Sequence, residues 1–186
     1  MENPAVPGSI PGPRDSFAHC PRCGASSAGN SHNRAFVCAN CGFTLYFNIA
    51  CAFGGLITDA DGRLLLVRRA KEPSKGLLAF PGGFADPGED AESGLRREVR
   101  EEVGLSVEVT DYLCSHTNLY AYKEITYPVL DFFYLCRVVA PNDKPLTLQA
   151  SEIAGSEWRD PSGIDPDEIA FASQQWALRC YREKIK

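Results

Sequence analysis

The stretch from Phe80 to Gly104 constrains the fold of this chain more than any other, because it joins a glycine- and proline-rich loop to an amphipathic helix. The loop reads FPGGFADPGE, a composition typical of turns. With about 100° of rotation per residue, the segment that follows puts an apolar stripe on one side: Ala91, Leu95, Val99 and Val103. This pattern predicts a helix from about Ala91 to Val103 that packs on a sheet and ends at Gly104.

The same helix carries three glutamates within the run REVREEVG. Like charges at helical spacing destabilise a helix unless something compensates them. Glu98, Glu101 and Glu102 share one arc, where Gly94 is expected to leave open space and where Arg97 can pair with Glu101. Hard divalent cations prefer all-oxygen surroundings, so we predict that the glutamates and the Gly-Gly loop carbonyls bind a cation. The alternative is a solvated acidic face paired with arginines.

Two C-x-x-C-G motifs, CPRCG and CANCG, supply four cysteines: Cys20, Cys23, Cys38 and Cys41. Four thiolates without a fifth ligand make a closed tetrahedral site, which favours structural zinc. Iron in a rubredoxin-like site is the alternative, because ligand softness does not exclude it. A ribbon of about thirty residues has too small a core to fold alone, so the metal would supply its stability. The scattered cysteines are expected to act as small buried hydrophobes: Cys51, Cys114, Cys136 and Cys180.

Composition divides the chain into three segments. Residues 1–16 hold four prolines and two glycines and are expected to form a flexible tail, residues 17–46 a zinc ribbon, and residues 47–186 the main domain. Strands are predicted in that domain at IACAFGGLIT, RLLLVRR, LSVEVTDYLCSHT, YPVLDFFYLCRVV and SEWRD. A second helix is predicted in DPDEIAFASQQWALRCYREKI, with Asp165 as its N-cap and Pro166 at its first position.

Charge and hydropathy exclude several classes of protein. The formal net charge is −5 and no run of lysine and arginine occurs, which argues against nucleic-acid and anionic-membrane binding. No apolar run approaches the roughly 18 residues of a membrane span, and we find no signal-peptide pattern. We therefore expect a cytoplasmic protein with a small-molecule partner and no membrane or nucleic-acid partner, with homodimerisation left open.

The spacing around the glutamates has a counterpart in a known family. Gly83 is followed after five residues by Glu89 and after seven more by REVREEVGL. This resembles, at every defined position, the Nudix hydrolase signature G-x5-E-x7-R-E-U-x-E-E-x-G-U, in which U is a bulky aliphatic residue. The resemblance covers about residues 49–183 and implies an α/β/α sandwich with a mixed sheet. A zinc ribbon before such a domain is similar to the arrangement in bacterial NADH pyrophosphatases and in certain plant FAD pyrophosphatases.

The resemblance implies a hydrolase that cuts the pyrophosphate bond of a nucleoside diphosphate linked to another group, with Mg²⁺ or Mn²⁺. Its substrate would be a dinucleotide or nucleotide-sugar such as NAD(H), ADP-ribose or FAD; the alternative is a non-catalytic, nucleotide-sensing module. Glu89 and Arg97 would brace the loop and helix. The base that activates water would be Glu98 or Glu102, with Glu152 a candidate outside the signature. The cation ligands implied are Gly83 through its carbonyl, Glu98, Glu101 and Glu102.

Substrate contacts are less constrained. Arg68 and Arg69 end a predicted strand, and either could bind a phosphate, but strand alternation sends only one inward; Arg68 is the candidate we name. Aromatic residues could stack a base: Phe47, Tyr120 and Tyr122. The motif SQPWPFPxS of the NADH pyrophosphatases is absent from HTNLYAYKEITYPVLDFF, so we expect no strong preference for NADH.

Overall fold

The structure is a computed structural model that describes residues 17–26, 31–32, 35–139 and 145–186. The tail predicted for residues 1–16 lies outside these ranges. The chain divides into two compact units. The first comprises Met1–Ile49 and Leu119–Pro128, and the second comprises Ala50–Asn118 and Val129–Lys186. None of the described helices is long and apolar enough to cross a membrane.

The first unit is built on a three-stranded antiparallel sheet: β1 (Ser31–His32), β2 (Ala35–Val37) and β3 (Thr44–Tyr46), in the order β1-β2-β3. Its small core contains the buried residues Cys20, Phe36 and Cys38. The ring of Phe17 lies 5.7 Å from that of Phe36 and 5.7 Å from that of Phe47. So small a core agrees with the expectation that metal binding stabilises this unit.

The second unit contains a mixed sheet of seven strands. They are β4 (Ala50–Thr58), β5 (Leu64–Arg69), β6 (Leu78–Ala79), β7 (Gly82–Phe84), β8 (Val107–Tyr122), β9 (Ile125–Val138) and β10 (Ile153–Arg159). The order is β10-β5-β4-β9-β8, with β6 beside β5 and β7 beside β4. β4 is parallel to β9 and antiparallel to β5 and β7. The predicted mixed sheet is therefore confirmed.

Two helices cover opposite faces of this sheet: α1 (Ala91–Val103) and α2 (Ala172–Lys184). The faces are set by the alternation of β5, in which Leu65 and Val67 pack with the α1 core, whereas Leu64 and Leu66 pack with the α2 core. The α1 bounds match the prediction. The Asp90 side chain accepts a hydrogen bond from the Ser93 amide at 2.8 Å, and Gly104 ends the helix with φ 72°.

The prediction for the second helix was wrong at its start. Asp165 and Pro166 begin only a 3₁₀ turn, Pro166–Glu168, and α2 starts at Ala172. The intervening segment is extended because Ile169 is buried and the Ala170 amide donates to the Leu78 carbonyl at 2.8 Å. A long-range contact with β6 therefore overrides the local helix signal.

Candidate active site and metal centre

The loop before α1 is shaped by two adjacent glycines of β7. A Cβ on Gly82, whose φ is 145°, would lie 2.0 Å from the Phe53 carbonyl oxygen, so only glycine fits there. A Cβ on Gly83 would lie 2.5 Å from Cδ of Glu98 and 2.6 Å from each of its carboxylate oxygens. The Glu98 carboxylate therefore lies directly against the Gly83 backbone, in space that any side chain at Gly83 would fill.

Arg97 links this loop to the helix. Its Nε donates to Glu89 Oε1 at 2.7 Å and its Nη2 donates to Glu89 Oε2 at 2.9 Å. Nη2 also donates to the Phe84 carbonyl at 3.2 Å, and the Asp86 amide donates to Glu89 Oε2 at 3.1 Å. The bond from Arg97 is the main cause that lowers the pKa of Glu89. This bidentate pair holds the loop against α1.

The remaining guanidinium nitrogen of Arg97 contacts two of the three glutamates of the acidic arc. Nη1 donates to Glu98 Oε1 at 2.9 Å and to Glu101 Oε2 at 3.2 Å. Gly94 does not leave the expected open space beside them. A Cβ there would lie 2.8 Å from the Phe53 ring and 3.1 Å from Glu89 Oε2. The glycine instead makes room for an aromatic ring under the helix.

Glu102 is the buried member of the arc, with 8% of its surface exposed. The Gly82 amide donates to its Oε2 at 2.9 Å. Burial, together with repulsion from Glu98 and Glu152, raises the pKa of Glu102 to about 8. Burial also raises the pKa of Glu98, despite its bond to Arg97. A bound cation would relieve this repulsion, and the all-oxygen donor set suits a hard divalent metal.

Glu152 belongs to this electrostatic cluster although it lies outside the sequence signature. Its charge raises the pKa of both Glu98 and Glu102. The Lys71 ammonium lies 2.7 Å from Glu152 Oε1, and the Ala70 amide donates to the Glu152 carbonyl at 2.7 Å. A backbone bond and an ion pair thus fix a fourth carboxylate near the arc.

The two arginines at the end of β5 have different surroundings. Arg68 is exposed, and it donates to the Gly76 carbonyl at 2.8 Å and to Glu157 at 3.1 Å. Arg69 donates from Nε to the Pro73 carbonyl at 2.8 Å and covers the ring of Phe171 at 4.9 Å. Among the described residues, its Nη2 is buried and has no hydrogen-bond partner. The charge of Arg69 also lowers the pKa of Glu102. Of the two arginines, Arg69 is therefore the one with an electrostatic effect on Glu102, whereas phosphate binding by Arg68, the candidate named from the sequence, stays a prediction.

The three aromatic candidates for stacking a base all belong to the first unit. Phe47 packs on Phe17 in the ribbon core, as described above. Tyr120 is half-buried, whereas Tyr122 is 52% exposed and its ring lies 5.4 Å from the Lys123 ammonium. Their role in binding stays a prediction.

The four motif cysteines converge on one point. Their sulfur atoms lie within 4.8 Å of one another, with 3.7 Å between Cys20 and Cys41 and 3.7 Å between Cys23 and Cys38. Gly24 and Gly42 end the two motifs with φ of 72° and 70°, and their amides donate at 2.9 Å to the carbonyls of Cys20 and Cys38. Within the described ranges, the glutamates of the arc do not converge in this way.

The protonation of these thiols supports a metal centre. The Ala25 amide and the Asn40 side chain lower the pKa of Cys23 to about 6. Although the Phe43 amide favours the thiolate of Cys41, burial and the neighbouring sulfurs raise the pKa of Cys41 to about 12. Four thiolates cannot be charged together at this distance without a cation, and the residues fit tetrahedral zinc.

Comparisons with known proteins agree with this geometry. The family model described as the NUDIX domain matches residues 50–180. The CTP pyrophosphohydrolase of Escherichia coli is 41% identical over 132 residues, which cover 68% of this chain and 91% of the relative. The human mitochondrial NAD(P)H pyrophosphatase NUDT13 is 30% identical over 159 residues, which cover 85% of this chain and 41% of the relative.

A solved structure also shares the fold. The NUDIX hydrolase from Nitrosomonas europaea superposes with a TM-score of 0.69 at 21% identity, covering 90% of this chain and 92% of the other. The chain spans about two fifths or less of the length of the first curated relatives that it matches.

Proposed function

Because the chain belongs to the NUDIX family, whose domain spans its residues 50–180, we propose that it is a divalent-metal-dependent hydrolase of pyrophosphate bonds. The substrate is a nucleoside diphosphate linked to a second group. The observation that carries this proposal is the carboxylate arc beside Gly83, in which Glu98 lies against the loop backbone and Glu102 is buried. Such an arrangement is costly without a cation and suits a site that binds phosphates through one.

We propose that the carbonyl of Gly83 and the carboxylates of Glu98, Glu101 and Glu102 hold the cation, as Mg²⁺ or Mn²⁺. When bound, the metal supplies positive charge that stabilises the developing charge on the phosphate oxygens. Arg97 keeps these groups in position by joining Glu89 of the loop to Glu98 and Glu101 of the helix.

A carboxylate must also accept the proton of the attacking water. Three candidates for this base interact electrostatically in this region: Glu98, Glu102 and Glu152. The Gly82 amide already binds Glu102 and the Lys71 ammonium already binds Glu152. Comparing the kcat of the three Glu→Gln variants as a function of pH would identify the base, because only its loss should remove the acidic limb of the kcat profile.

We propose that the substrate is a dinucleotide or nucleotide-sugar such as NAD(H), ADP-ribose or FAD, without strong preference for NADH. Relatives are named for NAD(P)H and for CTP, so a nucleoside triphosphate belongs in any substrate panel. Of the two arginines, Arg69 is the proposed phosphate ligand, because its Nη2 has no partner among the described residues and it lies near Glu102. Stacking of the base on Phe47, Tyr120 or Tyr122 stays part of the proposal. So do cytoplasmic localisation, the expected lack of nucleic-acid binding and homodimerisation.

The test is a panel of NADH, ADP-ribose, FAD, a diadenosine polyphosphate and CTP, assayed with Mg²⁺ or Mn²⁺. Products are separated by chromatography after reaction in ¹⁸O-water. We expect two monophosphates from each of NADH, ADP-ribose and FAD, with ¹⁸O on one of them. Cleavage of one anhydride bond in the diadenosine polyphosphate should give two nucleotides, and in CTP it should give CMP and pyrophosphate. Glu92→Gln is the matched control, since Glu92 lies on the same helix but pairs with Arg96. Orthophosphate as the first product, or no turnover of any compound by protein with intact metal sites, would contradict the proposal.

A further inference from the structure

Helix α2 contacts β8 through two side-chain pairs, and two cysteines lie between these pairs. Its contributing residues are spaced four apart and therefore share one face of the helix. At one end an ammonium pairs with a carboxylate and at the other an indole ring lies 5.4 Å from an imidazole ring. The thiols of the two cysteines lie between these contacts, close enough to interact electrostatically. The pairs are Lys184 with Asp111 and Trp176 with His116, and the cysteines are Cys180 and Cys114.

The environment of the two thiols differs from that of the other cysteines. Both are half-buried, and Cys114 packs against the α2 core that includes Leu178 and Tyr181. Cys136, in contrast, is buried and its thiol contacts the Tyr134 carbonyl. The expectation that the scattered cysteines act as buried hydrophobes therefore describes Cys136, but not the pair formed by Cys114 and Cys180.

We propose that Cys114 and Cys180 form a reversible dithiol–disulfide site that fastens α2 to β8. The oxidant is a small-molecule disulfide such as oxidised glutathione. The Cys180 thiolate attacks one sulfur of this disulfide, which breaks its S–S bond and releases one small thiol. The Cys114 thiolate then attacks the Cys180 sulfur of the mixed disulfide, forms the intramolecular bond and releases the second small thiol. The two protein thiols are oxidised by two electrons in total, and their two protons pass to the released thiols.

The order of attack follows from the surroundings of the two groups. Burial, and the neighbouring Cys180, raise the pKa of Cys114 to about 12. Since the thiolate is the nucleophile, this raised pKa slows the attack of Cys114 on an external reagent. The two flanking contacts keep the segment with Cys114 opposite that with Cys180, so Cys114 is placed to resolve the mixed disulfide.

The Cys114–Cys180 disulfide would act on α2, which contacts the loop that carries Gly82 and Gly83. Near the start of α2, Gln174 Oε1 accepts from the Phe80 amide at 2.9 Å, directly before the Pro81-Gly82-Gly83 segment. Closing the loop between Cys114 and Cys180 removes conformations of the unfolded chain. A disulfide that closes the segment between Cys114 and Cys180 should raise the melting temperature of a domain of this size by an amount on the order of 10 °C.

The test uses the full chain with its zinc bound, treated with oxidised glutathione and then freed of the reagent. Wild type is compared with Cys114→Ser, with Cys180→Ser and, as the matched control, with Cys51→Ser, which removes another half-buried cysteine. Peptide mapping after alkylation of free thiols, without reduction, identifies the bonds formed. Differential scanning fluorimetry gives Tm before and after treatment, and again after dithiothreitol.

We expect a peptide that joins Cys114 to Cys180 in wild type and in Cys51→Ser, with a rise in Tm that dithiothreitol reverses. Neither Cys114→Ser nor Cys180→Ser should gain this crosslink or the rise in Tm. Glutathione attached to Cys180 without the crosslink would overturn the proposal. A crosslink that leaves Tm unchanged would overturn the fastening role. Neither readout uses catalysis, so both are independent of the proposed hydrolase activity.

Discussion

Replacing Gly83 by alanine tests whether the packing of Glu98 against the loop is needed for catalysis. The added methyl group would lie 2.5 Å from Cδ of Glu98, whereas ordinary contacts at such a position are 3.4–4 Å. The carboxylate must therefore move by about 1 Å, and a displacement of this size can lower turnover by about a hundredfold. We expect kcat to fall about a hundredfold in Gly83→Ala, equivalent to roughly 2.7 kcal/mol of transition-state stabilisation.

The same substitution should change stability little. The nearest atoms all belong to the flexible end of the Glu98 side chain rather than to the backbone. Gly→Ala at a compatible backbone conformation stabilises by about 0.4–1 kcal/mol through the unfolded chain, which offsets part of the weakened bond between Arg97 and Glu98. We expect Tm within about 4 °C of wild type.

The assay measures kcat and KM at saturating metal and Tm by scanning fluorimetry on the same preparation. Gly82→Ala is the contrasting variant, since its methyl group would meet the Phe53 carbonyl at 2.0 Å and should disrupt β7 itself. Near-wild-type kcat in a folded Gly83→Ala protein would refute the argument. So would a loss of Tm as large as that of Gly82→Ala, because the defect would then be structural.

Three further predictions concern the arc, its brace and the ribbon. Glu101→Gln and Glu102→Gln should each lower kcat by about two orders of magnitude or more with the fold intact, because an amide is a poorer ligand and no base; near-full turnover would remove that residue from the ligand set. The bond from Arg97 lowers the pKa of Glu89 below its ordinary 4.5, so its stabilising effect is complete above pH 4.5 and is lost as pH falls through the lower folded value. Glu89→Gln should therefore flatten the acid limb of Tm against pH, and an unchanged limb would contradict the pairing. Cys41→Ser should release zinc and loosen the ribbon, measured by metal analysis and hydrogen exchange; less than one zinc per chain in unchelated wild-type protein would rule the site out.

The sequence predicts α1 well because every signal for that helix is local. The Asp90 cap, the apolar stripe and the αL residue Gly104 all lie within one segment, and tertiary packing agrees with them. The start of α2 could not be predicted in the same way. Its position depends on a hydrogen bond between Ala170 and Leu78, which are far apart in the sequence.

The candidate site follows the same division. The resemblance to the Nudix signature identifies the glutamates, Glu89 and Arg97 as candidates, because they occupy one loop and one helix and keep the spacing of that signature. Arg68 and Arg69 are the last two residues of a strand, and their side chains point to opposite faces of the sheet. Alternation alone does not say which of the two faces the site. The proximity of Cys114 to Cys180 joins a strand to a distant helix, and no periodicity in either segment reveals it.

The pairing of β5 with β10 bears on how the second unit forms during synthesis. β5 lies between β4 and β10, yet β10 follows it by more than eighty positions and β4 has its parallel partner β9 at a similar remove. Helix α1 can cover one face of the sheet early, but the face that α2 covers stays open to solvent on the ribosome until α2 emerges. Leu64–Arg69, an apolar strand without its neighbour, is then the segment most exposed to wrong partners. The strand ends in two arginines after an apolar run. Their charge disfavours pairing of this strand with another chain.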